Sequence, residues 1–388
     1  MTPPIRAIVR DGFASRLALF YGAAFAIHGI QLPFFPAWLK AKGLDSEAIG
    51  LVLAAPMLLR MLAVPVSARI ADRRDALRGA LIATSVVGTM AYSLVGLAAG
   101  FLPIFAAVAL AATLTTPMLP LLDAYALKGL ALRGRAYGPV RLWGSAAFIA
   151  ANLGAGFLAG WVAPTGTIWL MVAAYAAAVL VSLTLRPLRP SAAPISPSVG
   201  HRRMLPSRRF LAIAVAASLV QASHAVYYSF STVDWTAKGL SGTAIGALWA
   251  LGVLAEIALF AVSARFPARL GAGGLLAIGA GGAVVRWSAM ALDPPLVLRP
   301  LLQCLHGLSF GAAYLGAMQF LAGTAPDDRA ATAQGDLSTI QAIVMAVATG
   351  CSGLLYGSFG SVSYGAMALL ALLGGLIALT VRTRSSSP

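Results

Sequence analysis

Runs of about 20 apolar residues recur along the whole of this 388-residue chain, and no other feature limits its fold so severely. A helix of that length crosses the hydrocarbon layer of a bilayer. The runs fall at residues 14–39, 47–69, 77–98, 103–126, 139–160, 167–187, 210–235, 242–264, 273–292, 296–322, 335–357 and 361–381. Strict alternation of apolar and polar residues is missing, which excludes a membrane β-barrel. With 59% of residues hydrophobic and 10% charged, the balance is not that of a soluble domain. The chain reads as an all-α, polytopic membrane protein with twelve transmembrane helices.

A formal charge of +16 would suit a nucleic-acid partner, but the placement of the charges argues otherwise. Of the 28 Lys and Arg residues, 22 lie in the termini, in the loops after even-numbered runs or at the run ends that border them. Arg69, Arg73, Arg74 and Arg78 form one such group, Lys128, Arg133 and Arg135 another, and Arg202, Arg203, Arg208 and Arg209 a third. The loops after odd-numbered runs hold Lys40, Lys42, Lys238 and Arg299. That asymmetry places both termini in the cytoplasm and makes the basic charge topological. Cys304 and Cys351 stand alone in apolar runs, so neither a metal site nor a disulfide framework is expected. The N-terminus lacks a short apolar core followed by a small-residue cleavage site, so the first run is expected to stay in the mature chain. No HExxH, GxSxG or phosphate-binding loop appears, which points away from an enzyme and from any cofactor.

One phrase is spelled twice. AKGLDSEAIG at Ala41–Gly50 returns as AKGLSGTAIG at Ala237–Gly246, and Val66–Arg69 returns without a gap as Val262–Arg265. The offset spans six runs, an even number of crossings, so both copies start on the same side of the membrane. Two pseudo-symmetric six-helix bundles, residues 1–185 and 210–388, would then be related by an axis along the membrane normal. The Pro-, Ser- and Arg-rich segment 186–209 reads as the cytoplasmic linker between them.

A charge at mid-membrane costs at least about 2.5–3.5 kcal/mol, so each one demands a partner or a hydrated cavity. Arg60, Asp123, Glu256 and Arg286 lie in runs 2, 4, 8 and 9, and Arg141 opens run 5. His28, His224 and His306 sit at mid-depth in runs 1, 7 and 10. His28, Gln31, Phe35 and Trp38 share one helical face; His224, Tyr227, Ser231 and Asp234 share another, with Tyr228 beside it. Facing each other across a central space, the two stripes would suit a flat ring bearing a polar group. Alternatively, the aromatics fill helix contacts and the histidines bond to carbonyls. Arg60 and Glu256 occupy equivalent positions of the repeat with opposite charges. Arg60 is either a carboxylate anchor or a tie to a neighbouring helix end. Pro33, Pro36, Pro117 and Pro120 predict bends in the first and fourth helices.

Two resemblances follow. ARIADRRDALR, Ala68–Arg78, is similar to the loop-two signature of the major facilitator superfamily through Asp72, Arg73 and Arg74, although Ala68 replaces its leading glycine. PLLDA (Pro120–Ala124), YGPVRLWGSAAFI (Tyr137–Ile149), HAVYYSFSTVDW (His224–Trp235) and VRW (Val285–Trp287), with His306, resemble the proton-linked phenylpropionate permease family over nearly the whole chain. The resemblance implies a monomeric facilitator of the bacterial inner membrane that imports an aromatic carboxylate together with protons. In the related lactose permease an acid on helix 4 and an arginine on helix 5 hold substrate, which Asp123 and Arg141 match; a structural salt bridge is the other reading of that pair. The expected substrate contacts are His28, Gln31, Arg60, Asp123, Arg141, His224, Tyr227 and Tyr228. Glu256, Arg286 and His306 match that permease's proton-coupling set, with His306 titrating in the working range. Ser309 replaces its remaining acid, which leaves Glu256 or Asp123 to carry the proton. Proton-driven efflux of a drug or metabolite, or symport of a nucleoside or sugar, are the competing expectations.

Overall fold

Hydrocarbon offers a backbone no hydrogen-bond partner, so each apolar run closes its bonds internally as helix. The computed structural model describes residues 12–73, 76–188, 207–267, 270–324 and 330–383, and among them there is no strand. The helices are α1 (Phe13–Ala41), α2 (Ser46–Arg73), α3 (Leu77–Leu97), α4 (Phe101–Ala131), α5 (Gly138–Leu158) and α6 (Ile168–Leu183). They continue as α7 (Arg208–Ala237), α8 (Gly242–Val262), α9 (Gly271–Ala291), α10 (Leu296–Gly323), α11 (Ala330–Phe359) and α12 (Tyr364–Thr383). Ten stretches among the described residues are long and apolar enough to cross a membrane, and one of them, Thr332–Thr380, holds both α11 and α12. α5, which contains Arg141 and Asn152, is not among the ten. The set is consistent with twelve spans. Large apolar side chains such as Leu62, Met90, Leu180 and Leu369 stand exposed, the finish expected of a surface facing acyl chains. Of the expected linker, residues 189–206 lie outside the described residues, as do Arg74 and the side chains of Asp72 and Arg73.

The repeated phrase encodes a corner. Gly43 (φ 86°) and Gly239 (φ 82°) take the left-handed conformation that ends a helix and that side chains resist. In each copy the next residue's N–H reaches back to a carbonyl of the last turn, Leu44 to Leu39 and Leu240 to Trp235. The following residue then caps the new helix: Asp45 Oδ1 accepts from Ala48 N–H at 2.8 Å, and Ser241 Oγ accepts from Ala244 N–H at 3.2 Å. The closing glycines, Gly50 and Gly246, serve a third purpose in helix contact.

By its contacts the chain divides into two compact units. One comprises Met1–Gln31, Leu59–Ala151 and Gly166–Leu205; the other comprises Leu32–Leu58, Asn152–Thr165 and Pro206–Pro388. α1, α2 and α5 therefore each change unit along their length, α1 just before Pro33 and Pro36. Within the first unit, the last carbonyls of α6 receive cationic and phenolic donors: Arg16 bonds to Thr184 O, Arg78 to Leu183 O and Leu185 O, and Tyr125 to Arg186 O. These groups are the orphan acceptors of a helix end, where positive charge is favoured.

Within the second unit, helices meet backbone to backbone at glycines. A Cβ on Gly50 would lie 2.9 Å from Gly353 Cα, and one on Gly353 would lie 2.5 Å from Ser46 O. A Cβ on Gly246 would strike Asn152 O, and one on Gly156 would strike Gly242 O. Gly353→Ala and Gly246→Ala should each cost about 1–3 kcal/mol through overpacking. In detergent-purified protein both are expected to lower the thermal midpoint by several degrees, while Gly79→Ala, where nothing lies within 4 Å, leaves it unchanged.

Candidate functional site

α7 and α10 are interrupted near mid-length, and side chains take up the backbone groups that the breaks release. α7 stops at Ala222 and resumes at Ala225, while α10 widens into a π-turn over Gly307–Ala312. Ser223 Oγ donates to Val220 O at 2.6 Å, His224 Nδ1 donates to Gln221 O at 3.1 Å, and Gln221 Nε2 donates to Phe310 O at 3.4 Å. Irregular backbone at membrane depth survives only where such partners exist.

Arg286 of α9 lies against these breaks, 0% exposed. Its guanidinium donates to Gln303 Oε1 at 2.6 Å, to His306 Nδ1 at 2.9 Å and to Ser309 Oγ at 3.3 Å. Its faces meet the rings of Tyr227 and Trp287 at 4.6 and 4.5 Å. No carboxylate pairs with it among the described residues, so neutral acceptors and aromatic faces hold this cation. A guanidinium only donates, so His306 Nδ1 must accept, which leaves the ring proton on Nε2. That atom faces Glu256 Oε2 of α8 at 3.8 Å. The structure thus brings Glu256, His306 and Arg286 into one chain of contacts. A second proton on His306, at Nδ1, would have to displace Arg286.

The α7 residues surround this chain. His224 is fully buried, and with Nδ1 donating, its Nε2 accepts from Ser309 Oγ at 3.1 Å. Tyr227, also buried, stacks on Trp249 at 4.6 Å. Tyr228 remains half-buried, stacked on His224 at 5.5 Å. The far ends of both expected stripes serve packing: Trp38 is 1% exposed and donates to Thr165 O at 2.9 Å, while Asp234 pairs with Lys238 at 2.9 Å.

In the first unit, α1, α2, α4 and α5 supply the other cluster. Asp123 Oδ1 accepts from Tyr21 at 2.6 Å and from Tyr137 at 2.8 Å. The expected pairing of Asp123 with Arg141 is not formed, because the tyrosine hydroxyls occupy the carboxylate and Arg141 lies over the Phe25 ring at 3.9 Å. Arg60 is exposed, and neither it nor Arg141 makes a hydrogen bond or ion pair among the described residues. Both cations act electrostatically on His28, whose Nδ1 donates to Ala24 O at 2.9 Å. Gln31 Nε2 donates to Tyr92 OH at 3.1 Å, and Tyr92 stacks on Tyr175 at 5.1 Å.

Sequence reasoning missed Gln303, Tyr21, Tyr137 and Phe25, and it noticed Ser309 only as a missing acid. Gln303 lies one turn before His306 and Tyr21 two turns before His28, so helical spacing alone would have drawn them in.

This helical architecture is shared with membrane transporters of solved structure. NupG, a nucleoside transporter of solved structure, superposes with a TM-score of 0.81 at 16% identity, covering 97% of this chain and 100% of that one. A bacterial homolog of the human lysosomal transporter Spinster gives 0.75 at 17% identity, covering 99% and 98%. Identities so low bear on the fold alone. The profile of the MFS_1 like family matches residues 14–368, and the chain belongs to that family of major facilitator transporters. It is 33% identical to the probable 3-phenylpropionic acid transporter of Escherichia coli (strain K12) over 372 residues, 92% of this chain and 94% of that one. The maltose permease of Geobacillus stearothermophilus is 28% identical over 317 residues, 81% and 80% of the two chains.

Gln303→Leu would leave the buried Arg286 without its shortest hydrogen bond, at a cost of about 2–4 kcal/mol. A clear drop in the thermal midpoint of the purified protein is expected, larger than that for Ser309→Ala, whose hydroxyl accepts from Arg286 at 3.3 Å.

Proposed function

We propose that this transporter works by alternating access in the bacterial inner membrane, both termini cytoplasmic, and takes up an aromatic carboxylate together with protons. The observation that carries the anion is the pair Arg60 and Arg141. Two guanidinium groups act on His28 from membrane-spanning helices, and neither has a carboxylate to neutralise it among the described residues. A permanent cation in such a place favours an anionic partner, and the planar fork matches a carboxylate. The 33% identity to a probable 3-phenylpropionic acid transporter favours an aryl acid over other anions.

In this reading Arg60, Arg141 and His28 take the carboxylate, with Gln31 and Asp123 shaping the same unit. Glu256 carries the proton. As an anion it holds His306 Nε2–H and, through that ring, Arg286; once protonated it lets the link go. Arg286 and His306 are then the coupling elements, while His224, Tyr227 and Tyr228 hold them in register.

Glu256→Gln should abolish accumulation of labelled 3-phenylpropionate driven by a pH gradient in proteoliposomes, while exchange down the substrate's own gradient persists. Full accumulation by that variant would remove Glu256 from the coupling role. Arg60→Lys should raise the half-saturation concentration by about tenfold or more, since an ammonium lacks the fork. An unchanged value would retire Arg60 as the anchor. Running the assay in everted and right-side-out vesicles separates uptake from efflux, and a response to maltose or nucleosides instead of aryl acids would favour the symport alternatives.

A further inference from the structure

We infer that Phe25 and Gly144 set the substrate class by holding Arg141 as an open-edged receptor for a carboxylate. The inference rests on the reading of the protein as a carrier of organic anions.

A guanidinium stacks through its faces and hydrogen-bonds through its edge. Arg141 has one face on Phe25 at 3.9 Å, with the Tyr21 ring 5.6 Å away, and its N–H groups have no acceptor among the described residues. Tyr21, Phe25 and His28 follow one another at helical spacing on α1, with Phe25 6.4 Å from Tyr21 and 6.0 Å from His28 between ring centroids. Stacking engages the face of the cation and leaves its edge donors without an acceptor among the described residues. Asp123, the acid matched to it in sequence, instead accepts at one oxygen from Tyr21 and Tyr137. Tyr21 therefore acts twice, beside the cation as a ring and on the acid as a donor.

Gly144, one turn along α5 from Arg141, makes the stack possible. A Cβ at that position would lie 2.9 Å from Phe25 Cδ2 and 3.1 Å from Arg141 Nη1. Gly144 has ordinary helical backbone, so no unusual conformation calls for glycine here. What its missing side chain provides is room between α1 and α5 for a ring against a guanidinium. A neutral sugar or amide offers that edge no charge, whereas a carboxylate takes two parallel N–H···O bonds from it. Phe25 and Gly144 are thus positioning residues for Arg141.

The test uses the full-length protein in proteoliposomes, with radiolabelled 3-phenylpropionate as substrate and neutral 3-phenylpropanamide as competitor. The wild type is expected to take up the acid and to ignore the amide. Phe25→Leu should raise the half-saturation concentration about tenfold, with the maximal rate within about twofold, while Phe25→Tyr stays within about threefold of wild type. Gly144→Val should match Phe25→Leu, and the double variant should be no worse than either alone, because both act through one stack. Should Phe25→Leu fail to reach the membrane, Gly144→Ala, which adds a single methyl group, is expected to shift half-saturation in the same direction by a smaller factor. Half-saturation within twofold of wild type in the leucine variant, or fully additive effects in the double variant, would overturn the inference while leaving the anion reading intact. A wild type that takes up no aryl acid would overturn the anion reading first, before any variant is compared.

Discussion

Absence of water is the constraint on which this structure depends. A backbone group or a charge inside hydrocarbon must find its partner within the protein. The consequences are clearest where helices break. At Ser223–His224 and at the π-turn after His306, hydroxyl, imidazole and amide side chains bond to the carbonyls that the breaks release. Those side chains then stand where Arg286 enters, so backbone repair and polar core are one construction. Ser309 shows the economy of it: a single hydroxyl accepts from Arg286 and donates to His224.

The duplication separates what geometry requires from what chemistry requires. Both copies of the repeated phrase keep a left-handed glycine, a capping oxygen on the following residue and a terminal glycine at a helix contact. These positions tolerate little because backbone sterics decide them. The site positions have drifted apart. Arg60 and Glu256 are equivalent in the repeat, yet one is a cation with no ion pair among the described residues and the other an acid beside His306. Shared scaffold with divergent charges is what a carrier needs if one half handles an anion and the other a proton.

Much of this was legible because membranes make sequence rules strict. All twelve expected runs coincide with helices to within a few residues, since nothing but helix suits such a run. Glu256, Arg286 and His306 announced themselves by being expensive in lipid, and they do converge. The failures share one cause. Helical spacing shows which residues share a face, but not which neighbour that face meets. His28 and Trp38 do lie on one stripe, yet α1 changes packing environment at Leu32, and Trp38 ends against Thr165. Asp123 was matched to Arg141 by charge, whereas the register of α1 against α4 brought it tyrosine hydroxyls. Uncharged Gln303 drew no notice, although it makes the shortest bond to Arg286.

Three arginines in membrane-spanning helices can be ranked by what their N–H groups do. Arg286 has acceptors at both terminal nitrogens and rings at its faces, with only its buried Nε lacking a partner among the described residues, so an added anion would have to displace partners already in place. Arg141 has a ring on its face and no acceptor at its edge among the described residues. Arg60 is exposed and has neither a hydrogen bond nor an ion pair among the described residues. The desolvation cost of a cation is offset in the first case by the protein itself, and in the proposed reading a bound anion would offset it in the other two. An arginine whose terminal nitrogens are both partnered gives rigidity, while one with no acceptor leaves room for a ligand. On that criterion the proposed anion would belong with Arg60 and Arg141, and Arg286 with the proposed coupling group around Glu256.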